Sequence, residues 1–256
     1  MRYFLVNRFG FPEDCILMLT EEETDRFRNP TKQNIRMALY WLVQGCQTGD
    51  SLVFYYSGHG SQQRNYNGDE MDGYDETICP LDFETQGMIV DDEINATIVR
   101  PLPFGVKLHA LIDACHSGTV LDLPFLCRMN RNGQYIWEDH RPRAGAWKGT
   151  SGGEAISFSG CDDNQTSADT SALSRITSTG AMTYCFIKAF EEGHGATYGS
   201  ILSSMRSTIR NTTGATGPVS SVVTILVSGG SFGGLKQEPQ LTSNEPFDVY
   251  QKPFSF

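Results

Sequence analysis

The chain has 256 residues, 39% of them hydrophobic, with 30 acidic against 20 basic side chains and a net charge of −10. That length holds one large domain or two small ones around a sizeable core, and the negative balance argues against nucleic acid and towards basic partners or cations. No apolar run nears the ~20 residues of a bilayer span, and Met1 to Arg8 is too short and too interrupted for a secretory signal, which excludes a membrane and predicts a cytoplasmic protein.

Residues 3–9 read as the tail of a helix, with Leu5, Val6 and Phe9 at helical spacing and Gly10 ending it. Residues 15–19 read as a short strand, and 21–30 as a polar loop. Thr31 can cap the next helix, whose apolar face is Ile35, Leu39, Leu42, Val43 and Cys46, stopped by Gly45 to Gly49. Residues 51–56 form a continuously apolar strand, the kind found in a covered parallel sheet, running into Ser57-Gly58-His59-Gly60. Residues 61–76 read as an acidic loop and 78–81 as a minor strand. Val90-Asp91-Asp92-Glu93 opens a helix through about Val99, which Pro101 and Pro103 end.

A central apolar strand from Val106 then ends in Asp113-Ala114-Cys115-His116-Ser117-Gly118. Residues 128–153 hold Arg128, Arg131, Arg141, Arg143 and Lys148 among Gly, Asn and Pro, and read as a surface linker. Beyond it come a strand (154–159), two helices (180–192 and 198–210), a strand (219–227) and a mostly irregular tail. Strands alternating with helices predict an α/β fold with a mainly parallel sheet. The seven cysteines are Cys15, Cys46, Cys79, Cys115, Cys127, Cys161 and Cys185. Their number is odd and none forms a C-x-x-C pair, so they read as free, mostly buried thiols in a reducing compartment.

Two strands therefore end in the same kind of place, one at His59 and the other at Cys115. In a parallel sheet both carboxyl ends open on one edge, where ligands bind. A histidine beside a cysteine forms or stabilises the thiolate nucleophile. The backbone N–H groups of Gly60 and Cys115 are candidate donors to the oxyanion of acyl transfer. Taken alone, any one of these cysteines is a buried thiol and a lone histidine a satisfied polar residue; the two strand ends together carry the reading. His116 is a rival base, but adjacent side chains diverge, which favours His59. Asp113, two residues before Cys115, shares its strand face. There it suits a cationic substrate side chain and repels an acidic one, unless it serves only as a structural carboxylate on backbone amides.

Tyr55-Tyr56-Ser57-Gly58-His59-Gly60 and Asp113-Ala114-Cys115-His116-Ser117-Gly118 resemble the two signatures of the metacaspases, in the caspase-like clan of cysteine peptidases. Asn67 to Glu76, Ile89 to Glu93 and Gly160 to Asp169 extend the resemblance nearly end to end. The short linker places it nearest plant type I enzymes. The resemblance implies a caspase-like three-layer fold in a single peptidase C14 domain (1–256), with a large-subunit-like part (1–127), the linker (128–153) and a small-subunit-like part (154–256). It implies a Cys115–His59 dyad, cleavage after Arg or Lys with Ser57 and Asp113 in the substrate pocket, and a place in programmed cell death. It also implies activation by calcium bound to Asp75, Asp91, Asp92 and Asp122, with no organic cofactor, and a monomer acting on protein substrates. Calcium takes six to eight oxygens, which converging acidic loops supply. The bland alternative is that Asp91 and Asp92 only cap their helix. The linker's basic residues become natural self-cleavage sites.

The family pattern normally begins with a strand and a Gly-Cys-x-Asn-Asp segment, whose Asp is a second carboxylate of the basic-residue pocket. Neither is present, and Met1 falls inside the helix that follows them; the type I prodomain is likewise missing from the chain. The expected fold therefore lacks its first strand, a loss of several kcal/mol against a total stability of about 5–15. The competing expectation is a weakly active or inactive homologue that acts by binding.

Overall fold

The computed structural model describes residues 1–66, 68, 73–114, 118–142, 147–162, 180–213 and 237–256. Helix α1 (Arg2–Phe9) ends at Gly10 in the left-handed conformation, as the sequence predicts. The strand expected at 15–19 does not form: Cys15 ends a 3-10 turn (Glu13–Cys15) and residues 16–19 have no regular structure, because an apolar run becomes a strand only beside a partner ladder and none of the described strands pairs with it. Helix α2 (Lys32–Val43) starts where expected, with the Thr31 hydroxyl accepting from Asn34 N–H and Ile35 and Leu39 buried.

Strand β1 (Ser51–Ser57) follows. The acidic loop expected over 61–76 is instead a hairpin of β2 (Gly60–Arg64) and β3 (Tyr74–Ile78). Its polar side chains hid a buried strand, since Asp75, Glu76 and Thr77 are buried with hydrogen-bond partners. After the short helix α3 (Phe83–Gln86), strand β4 (Ile89–Val90) closes a three-stranded sheet in the order β2-β3-β4. Helix α4 (Asp91–Ile94) passes into a π-helical turn, Asn95–Val99, before the prolines.

Strand β5 (Lys107–Asp113) lies inside the second sheet, between β1 and β8. The first part of the expected linker joins a hairpin: β6 (Phe125–Met129) and β7 (Tyr135–Asp139) pair antiparallel. Leu126, Cys127 and Met129 are buried while Arg128 is exposed, and the basic residues of the outer face obscured that pattern. Strand β8 (Glu154–Asp162), helices α5 (Ala181–Glu191) and α6 (Tyr198–Thr213), and strand β9 (Gln237–Ser243) complete the described elements. The tail expected to be irregular thus contributes β9, whose Leu241, Gln240, Thr242 and Ser243 are buried between β8 and β6. The strand expected at 219–227 lies outside the described residues.

The six-stranded sheet runs β1-β5-β8-β9-β6-β7, with β1, β5 and β8 parallel and the rest antiparallel. Successive residues of β5 serve two cores. Leu108, Ala110 and Ile112 pack with Ile35 and Leu39 of α2 and Ile94 beyond β4; Leu111 packs with Phe186 of α5 and Leu202 of α6. Each such fully buried aliphatic side chain contributes about 1.5–3 kcal/mol. These are the helix, sheet and helix layers of the expected caspase-like α/β fold. Cys127 and Cys185 are buried free thiols, Cys46 and Cys79 half-buried and Cys15 exposed. No described helix is long and apolar enough to cross a membrane.

Candidate active site and acidic cluster

The register of β1 on β5 builds the site. Ser57 pairs with Asp113, and Gly58 N–H donates to the Asp113 carbonyl at 3.2 Å. The chain therefore leaves both strands at the same level, with His59 two residues past Ser57 and Cys115 two past Asp113. Cys115, its rival base His116 and Ser117 lie outside the described residues. His59 is exposed, but its backbone is held: its carbonyl accepts from Cys79 N–H (2.9 Å) and from the Tyr56 hydroxyl (2.8 Å). The same hydroxyl reaches the Cys79 carbonyl at 3.2 Å. Burial pushes the Tyr56 hydroxyl's pKa up, so it stays protonated and keeps donating.

This clamp accounts for Gly58. A Cβ there would lie 2.7 Å from Tyr56 Oη, so only glycine lets the ring close under His59. Gly60 is buried at the start of β2. Because Cys79 N–H bonds to the His59 carbonyl, the Gly60–Ile78 pair is the non-hydrogen-bonded kind. The Gly60 N–H thus points away from β3, as an oxyanion donor must.

Asp113 has no solvent exposure, and it faces α5. Thr183 donates to its Oδ2 twice, from backbone N–H at 2.7 Å and from the hydroxyl at 2.6 Å. Oδ1 is buried and has no hydrogen-bond partner among the described residues. Burial raises the pKa of the carboxyl; the Thr183 bonds and the nearby N–H groups of Gly180 and Met182 oppose that. Backbone N–H groups at the start of α5 thus hold Asp113 together with the Thr183 hydroxyl. Ser57, two residues along β1 from Tyr55, is on the same sheet face and exposed. Sequence reasoning missed Thr183 and Tyr55, whose hydroxyls meet at 3.0 Å; a threonine in an apolar helix carries no local signal of such a role.

The acidic residues surround β3 and α4. Asp75 accepts from Gln63 at 3.3 Å and Asn65 at 2.5 Å. Asp91, 1% exposed, accepts from Glu76 N–H (3.0 Å) and from Asp92 N–H (2.8 Å), so it ties β3 to α4 as well as serving the helix start. Glu76 in turn accepts from the Thr119 hydroxyl at 2.5 Å, which joins β3 to the segment carrying Asp122. Asp122 has a left-handed backbone (φ 50°) and a buried ion pair with Lys148 at 2.6 Å. The Asn95 amide bridges this pair's backbone, donating to the carbonyls of Asp122 (3.2 Å) and Lys148 (3.4 Å). The donor chemistry fits a hard cation such as calcium. Even so, no three His, Cys, Asp or Glu side chains among the described residues gather closely enough to hold an ion. In this arrangement it is Lys148, which the sequence offered only as a linker residue, that balances Asp122.

Residues 1–124 match the family model described as "Metacaspase, peptidase C14 domain". The chain is 76% identical over 262 aligned positions to Metacaspase-1 of Arabidopsis thaliana, covering 100% of this chain and 71% of that protein. It is 59% identical to Metacaspase-2 of the same plant, covering 100% and 66%, and 37% identical to Metacaspase-1 of Eremothecium gossypii, covering 97% and 59%. Among solved structures, protein GSU0716 of Geobacter sulfurreducens superposes with a TM-score of 0.50 at 20% identity, covering 87% of this chain and 76% of that one, a likeness of fold alone. Identity of 76% along the whole chain, on a sheet that brings the two signature strands out side by side, makes this chain a member of the plant-like metacaspases, cysteine peptidases of the caspase-like clan.

Proposed function

We propose that the chain is an endopeptidase that cleaves after Arg or Lys, with Cys115 as nucleophile and His59 as base. The observation that carries this reading is the paired exit of β1 and β5, with His59 beyond one and a fully buried Asp113 two residues before Cys115 on the other. His59 takes the Cys115 proton, and the thiolate attacks the substrate carbonyl. The oxyanion is met by the N–H groups of Gly60 and Cys115. His59 then returns the proton to the leaving amine, and water hydrolyses the acyl-enzyme. Asp113, with Ser57 beside it, draws in the cationic side chain.

Calcium, as activator, would be held by carboxylates of Asp75, Asp91, Asp92 and Asp122, and would supply the positive charge that gathers these loops. For that, Asp122 must exchange its Lys148 partner. Self-cleavage falls on exposed basic residues beside the β6–β7 hairpin, Arg131 and Arg141, in preference to the buried Lys148. A monomer in the cytoplasm suits these properties.

The test is hydrolysis of a fluorogenic peptide ending in Arg, with calcium or with a chelator. Turnover that needs calcium and vanishes in both Cys115→Ala and His59→Ala supports the assignment. Turnover that survives Cys115→Ala overturns it. A chain that unfolds cooperatively but never turns over is a binding module instead.

A further inference from the structure

The close hydrogen bonds of the Asp113 carboxylate fall on Oδ2, and one of them belongs to a chain of hydroxyls that no motif announces. Thr183 Oγ1 lies 2.6 Å from Asp113 Oδ2 and 3.0 Å from Tyr55 Oη. An ionised carboxylate can only accept, so the single Thr183 hydroxyl proton goes to Asp113. Tyr55 must then be the donor to Thr183 Oγ1. The order is fixed: Tyr55 O–H to Thr183 Oγ1, Thr183 O–H to Asp113 Oδ2. The Thr183 N–H adds a second bond to the same oxygen at 2.7 Å. Both donors occupy Oδ2, and buried Oδ1 keeps its acceptor capacity.

Three separate elements are needed for this. Tyr55 comes from β1, Asp113 from β5 and Thr183 from the first turn of α5. Tyr55 and Asp113 face the same side of the sheet by strand alternation, and α5 packs on that side. A fully buried carboxylate without a bound cation needs neutral donors to stay ionised. Donors on both oxygens would satisfy it and close it to a ligand; donors on one oxygen keep it charged and oriented.

We propose that Thr183, braced by Tyr55, is a positioning residue for substrate specificity: it pins Asp113 Oδ2 so that Oδ1 receives the guanidinium or ammonium group of the substrate. This rests on the reading of Asp113 as the cation-binding residue. Thr183 itself touches no substrate.

The experiment compares Thr183→Val, Thr183→Ser and Tyr55→Phe with the unaltered chain. Each is assayed on paired peptides carrying Arg or its uncharged analogue citrulline at the cleavage position, across pH, with thermal unfolding as a folding control. Thr183→Val keeps the N–H bond and removes the hydroxyl. The loss of one bond to a charged group predicts a roughly ten- to hundredfold higher KM for the Arg peptide, with kcat little changed. It also moves the acid-side rise in KM to higher pH, since Asp113 then binds its proton more readily. Thr183→Ser restores both, and Tyr55→Phe shows a smaller shift in the same direction. Equal losses of kcat on Arg and citrulline peptides, without rescue by Thr183→Ser, would assign Thr183 a merely structural role and overturn the proposal. An unchanged pH profile would overturn it as well. If the unaltered chain fails to prefer Arg over citrulline, the reading of Asp113 itself falls, which is a distinguishable result.

Discussion

Asp113 and Asp122 are both buried aspartates at the ends of segments leaving the same part of the fold, yet they are held in opposite ways. Asp113 has only neutral donors, the N–H and hydroxyl of Thr183 on Oδ2 and, nearby, the N–H groups of Gly180 and Met182. Asp122 has a full positive charge at 2.6 Å, on the equally buried Lys148. The first carries a desolvation cost when it is charged, whereas the second has a cation beside it; on the proposed function a substrate cation would meet the first and calcium would have to compete for the second. The same residue type is thus held by neutral donors in one place and by a cation in the other, and the difference lies in the charge of the neighbour, not in burial.

The largest expected effect breaks the Asp122 side. Removing one partner of a buried ion pair typically costs about 3–5 kcal/mol, because the other charge stays buried. Lys148→Met should therefore lower the unfolding free energy of the chelator-treated protein by that order, read as an earlier midpoint in chemical denaturation. Calcium should recover part of the loss. A midpoint unmoved by the substitution would mean that Lys148 does not balance Asp122.

Asp113 should respond in the opposite sense. Truncating its charge to Asp113→Asn should cost about 2–5 kcal/mol of Arg recognition in kcat/KM. At neutral pH the same substitution should raise, not lower, the melting temperature. The sign follows from linkage. A carboxyl whose folded pKa is raised contributes stability at low pH that is lost as pH rises through that value, so at pH 7 the ionised group is a burden that Asn removes. A melting temperature that falls would place Asp113 among the structural carboxylates.

His109 supplies a milder control, a buried titratable group outside both sites. It bonds the Tyr198 hydroxyl at 2.7 Å, and burial lowers its pKa to about 3. A group that must stay neutral when folded gives its full stability above the ordinary histidine value and loses it as pH falls towards 3. The expected slope is at most about 1.4 kcal/mol per pH unit over that window. His109→Gln should flatten the slope in equilibrium unfolding between pH 6.5 and 4, while leaving the Arg preference of kcat/KM untouched.

The legible parts of the chain were those with strong periodicity or local chemistry. The helix after Thr31, the apolar β1 and β5, and the two helices of the C-terminal half all stand close to where the sequence puts them. Strands β3, β7 and β9 were not legible. Strands β3 and β9 are polar on much of their length and β7 is short and set in a basic, Gly- and Asn-containing stretch, and each is a strand because a neighbour supplies its ladder. The run at residues 15–19 is the converse, with strand-like residues and no ladder.

By itself the sequence determined the family, the two signature turns, and the placing of His59 and Asp113 at the ends of strands, because these depend on residue identity and near-neighbour spacing. Only the tertiary structure decided which carboxylate is open and which is balanced. That choice is made by Thr183, 70 residues from Asp113, and by Lys148 through its ion pair with Asp122. Long-range contacts of this kind leave no periodic trace in the chain: a hydroxyl in an apolar helix and a lysine in a basic stretch acquire their roles only when the sheet brings them against a buried charge.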